Sequence, residues 1–154
     1  MQILAWIEQT ALSVFVRQDD YAYFWLLIAH ALGMALLVGG GIAISLRGLG
    51  VASSARLERF AGFIPYMWLG AALAIVSGLG LLIGYPAKAL TNPIFALKFI
   101  CLIGAALLIQ RIVRGQRPPK QMRMMAGASL ALWLAGVACG KLLLHTYTIL
   151  MITE

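Results

Sequence analysis

The sequence predicts an all-α integral membrane protein, an up-down four-helix bundle with a short interfacial helix at its N-terminus. Three observations carry that expectation. The 154-residue chain is 62% hydrophobic and only 11% charged, against roughly 45–50% and about 25% in a typical soluble domain. Its mean hydropathy is +0.93, and so short a chain has too little interior to hide that much apolar surface from water. Four stretches hold the ~20 mostly apolar residues that a helix needs to cross a ~30 Å hydrocarbon core. The composition excludes a soluble enzyme, a disordered chain and a disulfide scaffold. A single membrane domain over residues 1–154 is the expected organisation.

Residues 1–16 mix Leu4, Trp6, Ile7, Leu12, Val14, Phe15 and Val16 with Gln2, Glu8, Gln9 and Thr10. They are too few and too polar to span, so residues from about 2 to 16 read as a helix lying on the outer face. They lack the basic start of a cleavable signal peptide. The spans follow at about 21–46, 65–85, 93–112 and 124–149. Pro65 and Pro93 suit a first helical turn, where the missing N–H has no partner to lose. Asn92 suits the N-cap of the third span. Pro118 and Pro119 interrupt helical structure before the fourth. Tyr21, Tyr23, Trp25, Tyr66, Trp68, Tyr85 and Tyr147 fall near span ends, as interfacial aromatics do. Gly70, Ser77 and Gly84 recur every seven residues, and Gly80/Gly84 and Gly136/Gly140 are four apart. With the run Gly39–Gly40–Gly41, they let helix backbones approach closely in lipid.

Basic residues orient the spans. Arg47, Arg56 and Arg59 lie between spans one and two, and Arg111, Arg114, Arg117, Lys120 and Arg123 between spans three and four. The opposite side has Arg17 and Lys88. Eight bases against two place both basic loops in the cytoplasm and both termini outside. With twelve bases and five acids in all, the expected neighbours of these loops are anionic lipid head groups. Nucleic acid is not an expected partner, because nearly all of the chain is needed to cross the bilayer.

Ionisable side chains inside a membrane are costly and mark function. His30 and Lys141 lie ~13 Å deep from the outer end of their spans, and Lys98 and His145 ~8 Å deep. Lys141 and His145, four apart, share one helix face. No span contains a carboxylate, so this cluster calls for an anionic partner from elsewhere. Haem b meets that need: His30 ligates iron, Gly33 gives room for the ring, and Lys98 and Lys141 balance the propionates. His145 is the candidate second axial ligand. The plain alternative for His30 is a neutral imidazole bonded to a neighbouring helix. Copper is the other metal to weigh, because seven Met and two Cys are present and soft sulfur ligands select Cu(I). However, Met122, Met124 and Met125 cluster at the cytoplasmic end and form no M-x-x-x-M path. Cys101 and Cys139 sit in apolar runs with no C-x-x-C, so neither zinc nor covalent haem attachment is encoded.

Several stretches together resemble an uncharacterised family of small bacterial four-helix membrane proteins. They are W-I-E-Q-T-A-L-S at Trp6–Ser13, H-A-L-G-M-A-L-L-V-G at His30–Gly39 and L-R-G-L-G at Leu46–Gly50. P-Y-M-W-L-G at Pro65–Gly70, N-P-I-F-A-L-K at Asn92–Lys98, and Trp133 with Gly140–Lys141 complete the set. The resemblance implies a four-helix bundle with an outer N-terminal helix in a bacterial inner membrane; it assigns no activity. A looser similarity links His30, Gly33 and Gly39–Gly41 to copper-resistance D-type membrane domains and to four-helix b-type cytochromes. This chain lacks the cytochrome pattern of paired histidines on two helices, so His30 alone carries over.

Three functional readings follow. One is a small subunit of a larger membrane complex, linked to electron transfer, meeting other membrane or periplasmic subunits, with or without its own haem b. The second is a copper-handling membrane protein. The third is a subunit, structural or with a lipid or quinone site. With short loops and no soluble domain, the chain reads as an electron-transfer or non-catalytic subunit rather than an enzyme by itself.

Overall fold

The computed structural model describes residues 2–51, 53–115 and 118–149. Arg117, used in the orientation argument, lies outside them. Every regular element among the described residues is a helix: α1 (Gln2–Glu8), α2 (Ala11–Gln18), α3 (Asp20–Leu49), α4 (Leu57–Ala61), α5 (Ile64–Gly84), α6 (Pro86–Leu90), α7 (Pro93–Arg114) and α8 (Pro119–Ile149). Four of these, α3, α5, α7 and α8, are long and apolar enough to cross a membrane.

The four long helices sit where hydropathy put them, and local chemistry accounts for their ends. Asp19 caps α3 by accepting from the Ala22 N–H at 2.8 Å. The C-terminus of α3 runs three residues past the expected Leu46. It closes where Gly50 takes φ +105° and the N–H groups of Gly50 and Val51 reach back to the carbonyls of Arg47 and Leu46. That pair of bonds satisfies carbonyls that a bare helix end would leave open, and the left-handed turn favours glycine. Asn92 caps α7 through Ile94 N–H at 2.9 Å, with Pro93 at the first position. Pro119 likewise opens α8, so the fourth long helix begins five residues before the expected Met124.

The expected single N-terminal helix is two. Thr10 breaks it: its side chain accepts from Ser13 N–H and it caps α2. Two short helices, α4 and α6, also occupy segments read as loops.

The chain divides into two compact units, 1–39 with 65–91 and 40–64 with 92–154. In the first unit the N-terminal part of α3 runs antiparallel to α5. Gly33 meets Ala74 and Gly70, His30 meets Gly78, and Leu26 meets Gly80. The buried stripe of α5 is Met67, Gly70, Ala74, Ser77 and Gly84, so the seven-residue small pattern is its packing face. α2 docks on the end of α5: Val16 fills the space beside Gly84, and Ser13 donates to the Gly84 carbonyl at 3.5 Å. Arg17 donates to the Glu8 carbonyl, and the Glu8 carboxylate accepts from Ala87 N–H at 3.4 Å.

In the second unit α7 and α8 form an antiparallel pair. Gly136 receives Leu102, Gly104 lies against Leu132, and Ser129 donates to the Ala105 carbonyl at 3.2 Å. The C-terminal part of α3 runs antiparallel to α8: Gly41 faces Trp133 and Gly48 faces Ala126. Trp133 is fully buried, and its indole N–H has no hydrogen-bond partner among the described residues. Trp133 therefore contributes shape here rather than a polar bond. Cys101 and Cys139 are buried free thiols.

The long helices leave most of their apolar surface exposed. Only 22–28% of each apolar window is buried. Ser13, Ser45, Ser77 and Ser129 lie inside, while Trp25, Leu69, Val76, Ile100 and Ile103 are more than half exposed. Large apolar side chains turned outward suit a hydrocarbon solvent, where small residues make the helix contacts.

Candidate functional site around His30

His30 sits on α3 one turn before Gly33. At Gly33 a Cβ would lie 2.6 Å from the Ala74 nitrogen and 2.8 Å from the Gly70 carbonyl oxygen. A Cβ at Gly70 would lie 2.7 Å from the Gly33 carbonyl oxygen. The two glycines thus permit a backbone-to-backbone contact that any side chain would prevent. The space beside Gly33 is filled by α5, so this glycine serves helix approach; a ring would find no room there.

That approach brings the His30 imidazole within reach of α5. Its Nδ1 lies 3.0 Å from the Ala74 carbonyl oxygen and 3.3 Å from Ser77 Oγ. A carbonyl only accepts, so Nδ1 carries the proton and donates. Ser77 supports this assignment, because its own hydroxyl donates to the Leu73 carbonyl at 2.6 Å. Its oxygen is then presented to His30 as an acceptor. With the proton on Nδ1, the lone pair of the neutral ring is on Nε2. Gly78 lies under the ring: a Cβ there would be 3.1 Å from Cε1 and 3.3 Å from Nδ1. Four α5 residues, Gly70, Ala74, Ser77 and Gly78, therefore set the position, tautomer and plane of one histidine.

An Nδ1–H bond to a backbone carbonyl is the usual second partner of a metal-ligating imidazole, since it holds the ring and raises the basicity of Nε2. It also satisfies a polar group in a membrane interior, as the plain alternative for His30 requires. A hydrogen bond between membrane helices contributes ~0.6 kcal/mol on average. Orientation is therefore its larger effect.

The other expected site residues fall in the second unit. Lys98 of α7 lies along α8, with its Cε 3.6 Å and Nζ 3.7 Å from where a Gly140 Cβ would be. Lys141 and His145 are exposed. His145 Nδ1 donates to the carbonyl of Lys141, one turn back, at 3.1 Å. Among the described residues no group of three or more His, Cys, Asp or Glu side chains is placed to hold a metal ion.

The α5 partners of His30 were missed as site residues in the sequence. The repeat of Gly70, Ser77 and Gly84 marked the face on which they lie, but Ala74 acts through its backbone carbonyl, which carries no side-chain signal. No family model, curated protein or solved structure matches the chain.

Proposed function

We propose that this chain is a small integral subunit of a bacterial inner-membrane complex linked to electron transfer, with His30 as an axial ligand of haem b. One observation supports the reading: the Nδ1–H bond of His30 to the Ala74 carbonyl, the kind of bond that orients a metal-ligating imidazole. A haem held there supplies one-electron transfer. The chain's own part is to hold the imidazole in one tautomer and one plane. The Ala74 carbonyl and Ser77 Oγ receive its proton-bearing edge, and Gly78 leaves room for the ring. Gly33 is a packing residue in this reading. The wide exposed apolar faces and small extramembrane segments support a chain that works beside lipid and partner subunits. Among the described residues, no group of three or more His, Cys, Asp or Glu side chains supports copper handling.

The spectrum of protein purified from native membranes tests this. A Soret band that shifts with dithionite is expected. Colourless protein with full helix content would remove haem and leave a structural or quinone-site subunit. Copper retained through purification would instead favour the copper-handling reading.

The topology we propose is an up-down bundle with both termini periplasmic, based on the charge bias of the loops. A reporter fused at Ser54 should read cytoplasmic and one fused after Glu154 periplasmic. A cytoplasmic C-terminus would overturn the orientation. In the same reading α1 and α2 lie in the outer interface, with the exposed Trp6, Leu12 and Phe15 turned to lipid. A cysteine replacing the exposed Gln9 should then react with an impermeant thiol reagent from the periplasmic side. Protection in vesicles of the isolated chain would show that this segment is inserted more deeply.

A further inference from the structure

At the end of α7, Leu107, Gln110, Arg111, Arg114 and Gly115 line an open cavity of about 270 Å³. Residues 107, 110, 111 and 114 follow helical spacing and form one face. Neither α7 nor α8 contains an acidic residue, and both arginines are exposed. From Pro93 to Arg111 the helix rises ~27 Å, nearly the ~30 Å of a hydrocarbon core. Arg111 and Arg114 therefore stand at head-group level. Leu107 lies about one turn deeper on the same face, at acyl-chain level.

We propose that this groove is a binding site for an anionic phospholipid. The shared chemistry is phosphate recognition. A guanidinium presents paired donors that match two phosphate oxygens, which an ammonium does not. Two guanidiniums one turn apart, with the Gln110 amide on the same face, supply donors for every unesterified oxygen of a phosphodiester. Leu107 adds an apolar contact for the first methylenes of an acyl chain, which distinguishes a lipid from free phosphate. The negative end of the α7 dipole opposes a bare anion there, so the two cations are essential to binding. The site rests on the membrane-spanning reading of the chain and is independent of haem.

The test uses the full chain in phosphatidylcholine vesicles containing spin-labelled phosphatidylglycerol or spin-labelled phosphatidylcholine. Selectivity is the ratio of protein-associated signal from the two labels. The wild type should prefer the anionic label severalfold, because two paired-donor guanidiniums match its phosphate. Arg111→Gln with Arg114→Gln should bring the ratio close to one. Arg111→Lys with Arg114→Lys, which keeps the charge, should fall between the two. Arg56→Gln with Lys120→Gln removes equal charge elsewhere and should leave most of the preference.

An equal loss in that last pair would show diffuse attraction and overturn the site. So would full selectivity in the lysine pair, which also serves if the glutamine pair fails to fold. Inorganic phosphate should not displace the labelled lipid at concentrations that leave ionic strength nearly unchanged. Displacement by it would make this a free-phosphate site. A wild-type chain that fails to insert would overturn the membrane reading together with this one. A colourless chain with intact selectivity would overturn only the haem reading.

Discussion

His30→Ala is expected to abolish the reducible Soret band while leaving helix content unchanged. The substitution removes an imidazole that the Ala74 carbonyl of α5 holds in one orientation. The lost hydrogen bond is worth ~0.6 kcal/mol, too little to unfold a bundle held by dispersion along several helices. Loss of colour with a stable fold therefore separates ligation from packing. Ser77→Ala offers a graded comparison. It removes the weaker acceptor at 3.3 Å but leaves the Ala74 carbonyl, so the band should persist with a shifted reduction potential, because basicity at Nε2 follows the bonding at Nδ1. His145→Ala tests the second expected ligand: a change from low-spin to high-spin absorption would assign it, and an unchanged spectrum would exclude it. An unchanged Soret band in His30→Ala would overturn the assignment of His30.

The second large effect is on packing, and it is read from one glycine run. Gly41→Ala should destabilise the protein strongly, whereas Gly39→Ala should leave it unchanged or more stable. In an exposed helix position, replacing glycine by alanine gains about 1 kcal/mol. At Gly39 a Cβ would meet nothing within 4 Å, so that gain stands unopposed. At Gly41 it would lie 2.3–2.6 Å from Cε2, Nε1 and Cζ2 of Trp133. Trp133 is rigid and fully buried, so it cannot step aside as an exposed chain end would. Overpacking of this kind costs about 1–3 kcal/mol or more, which exceeds the propensity gain. Thermal unfolding in detergent, followed by circular dichroism, gives both signs in one experiment. A smaller residue in place of Trp133 should relieve the Gly41→Ala loss but not be additive with it, as for two residues in contact. Equal stability of the two alanine variants would show that the Gly41–Trp133 contact is not made. Gly33→Ala joins the two predictions: its Cβ meets α5 backbone, so the helices must separate and His30 must lose its carbonyl.

The sequence by itself determined the four long helices and most of their ends. Crossing a bilayer requires long apolar runs, and that requirement is one-dimensional, so α3, α5, α7 and α8 were legible from hydropathy alone. Proline at the start of α7 and Asn92 before it act within a turn, and they also read locally. The same holds for His30 as the residue to watch, because an ionisable group stands out wherever nearly everything else is apolar. Less was legible at Thr10, where one hydroxyl divides the N-terminal segment into α1 and α2, and at Gly50, which carries α3 past Leu46. Both depend on a backbone angle or cap that hydropathy does not register.

What each glycine is for was decided only by tertiary structure. Gly33, Gly39 and Gly41 look alike in the chain, but one faces a backbone, one faces open space and one faces an indole ring. The partner of His30 was settled in the same way, since the Ala74 carbonyl is identical in sequence terms to that of every other residue of α5. Only the close approach of two helices selects one carbonyl among them. That approach is set by the absence of side chains at Gly33 and Gly70, and an absence acquires meaning only when a second helix arrives to fill it.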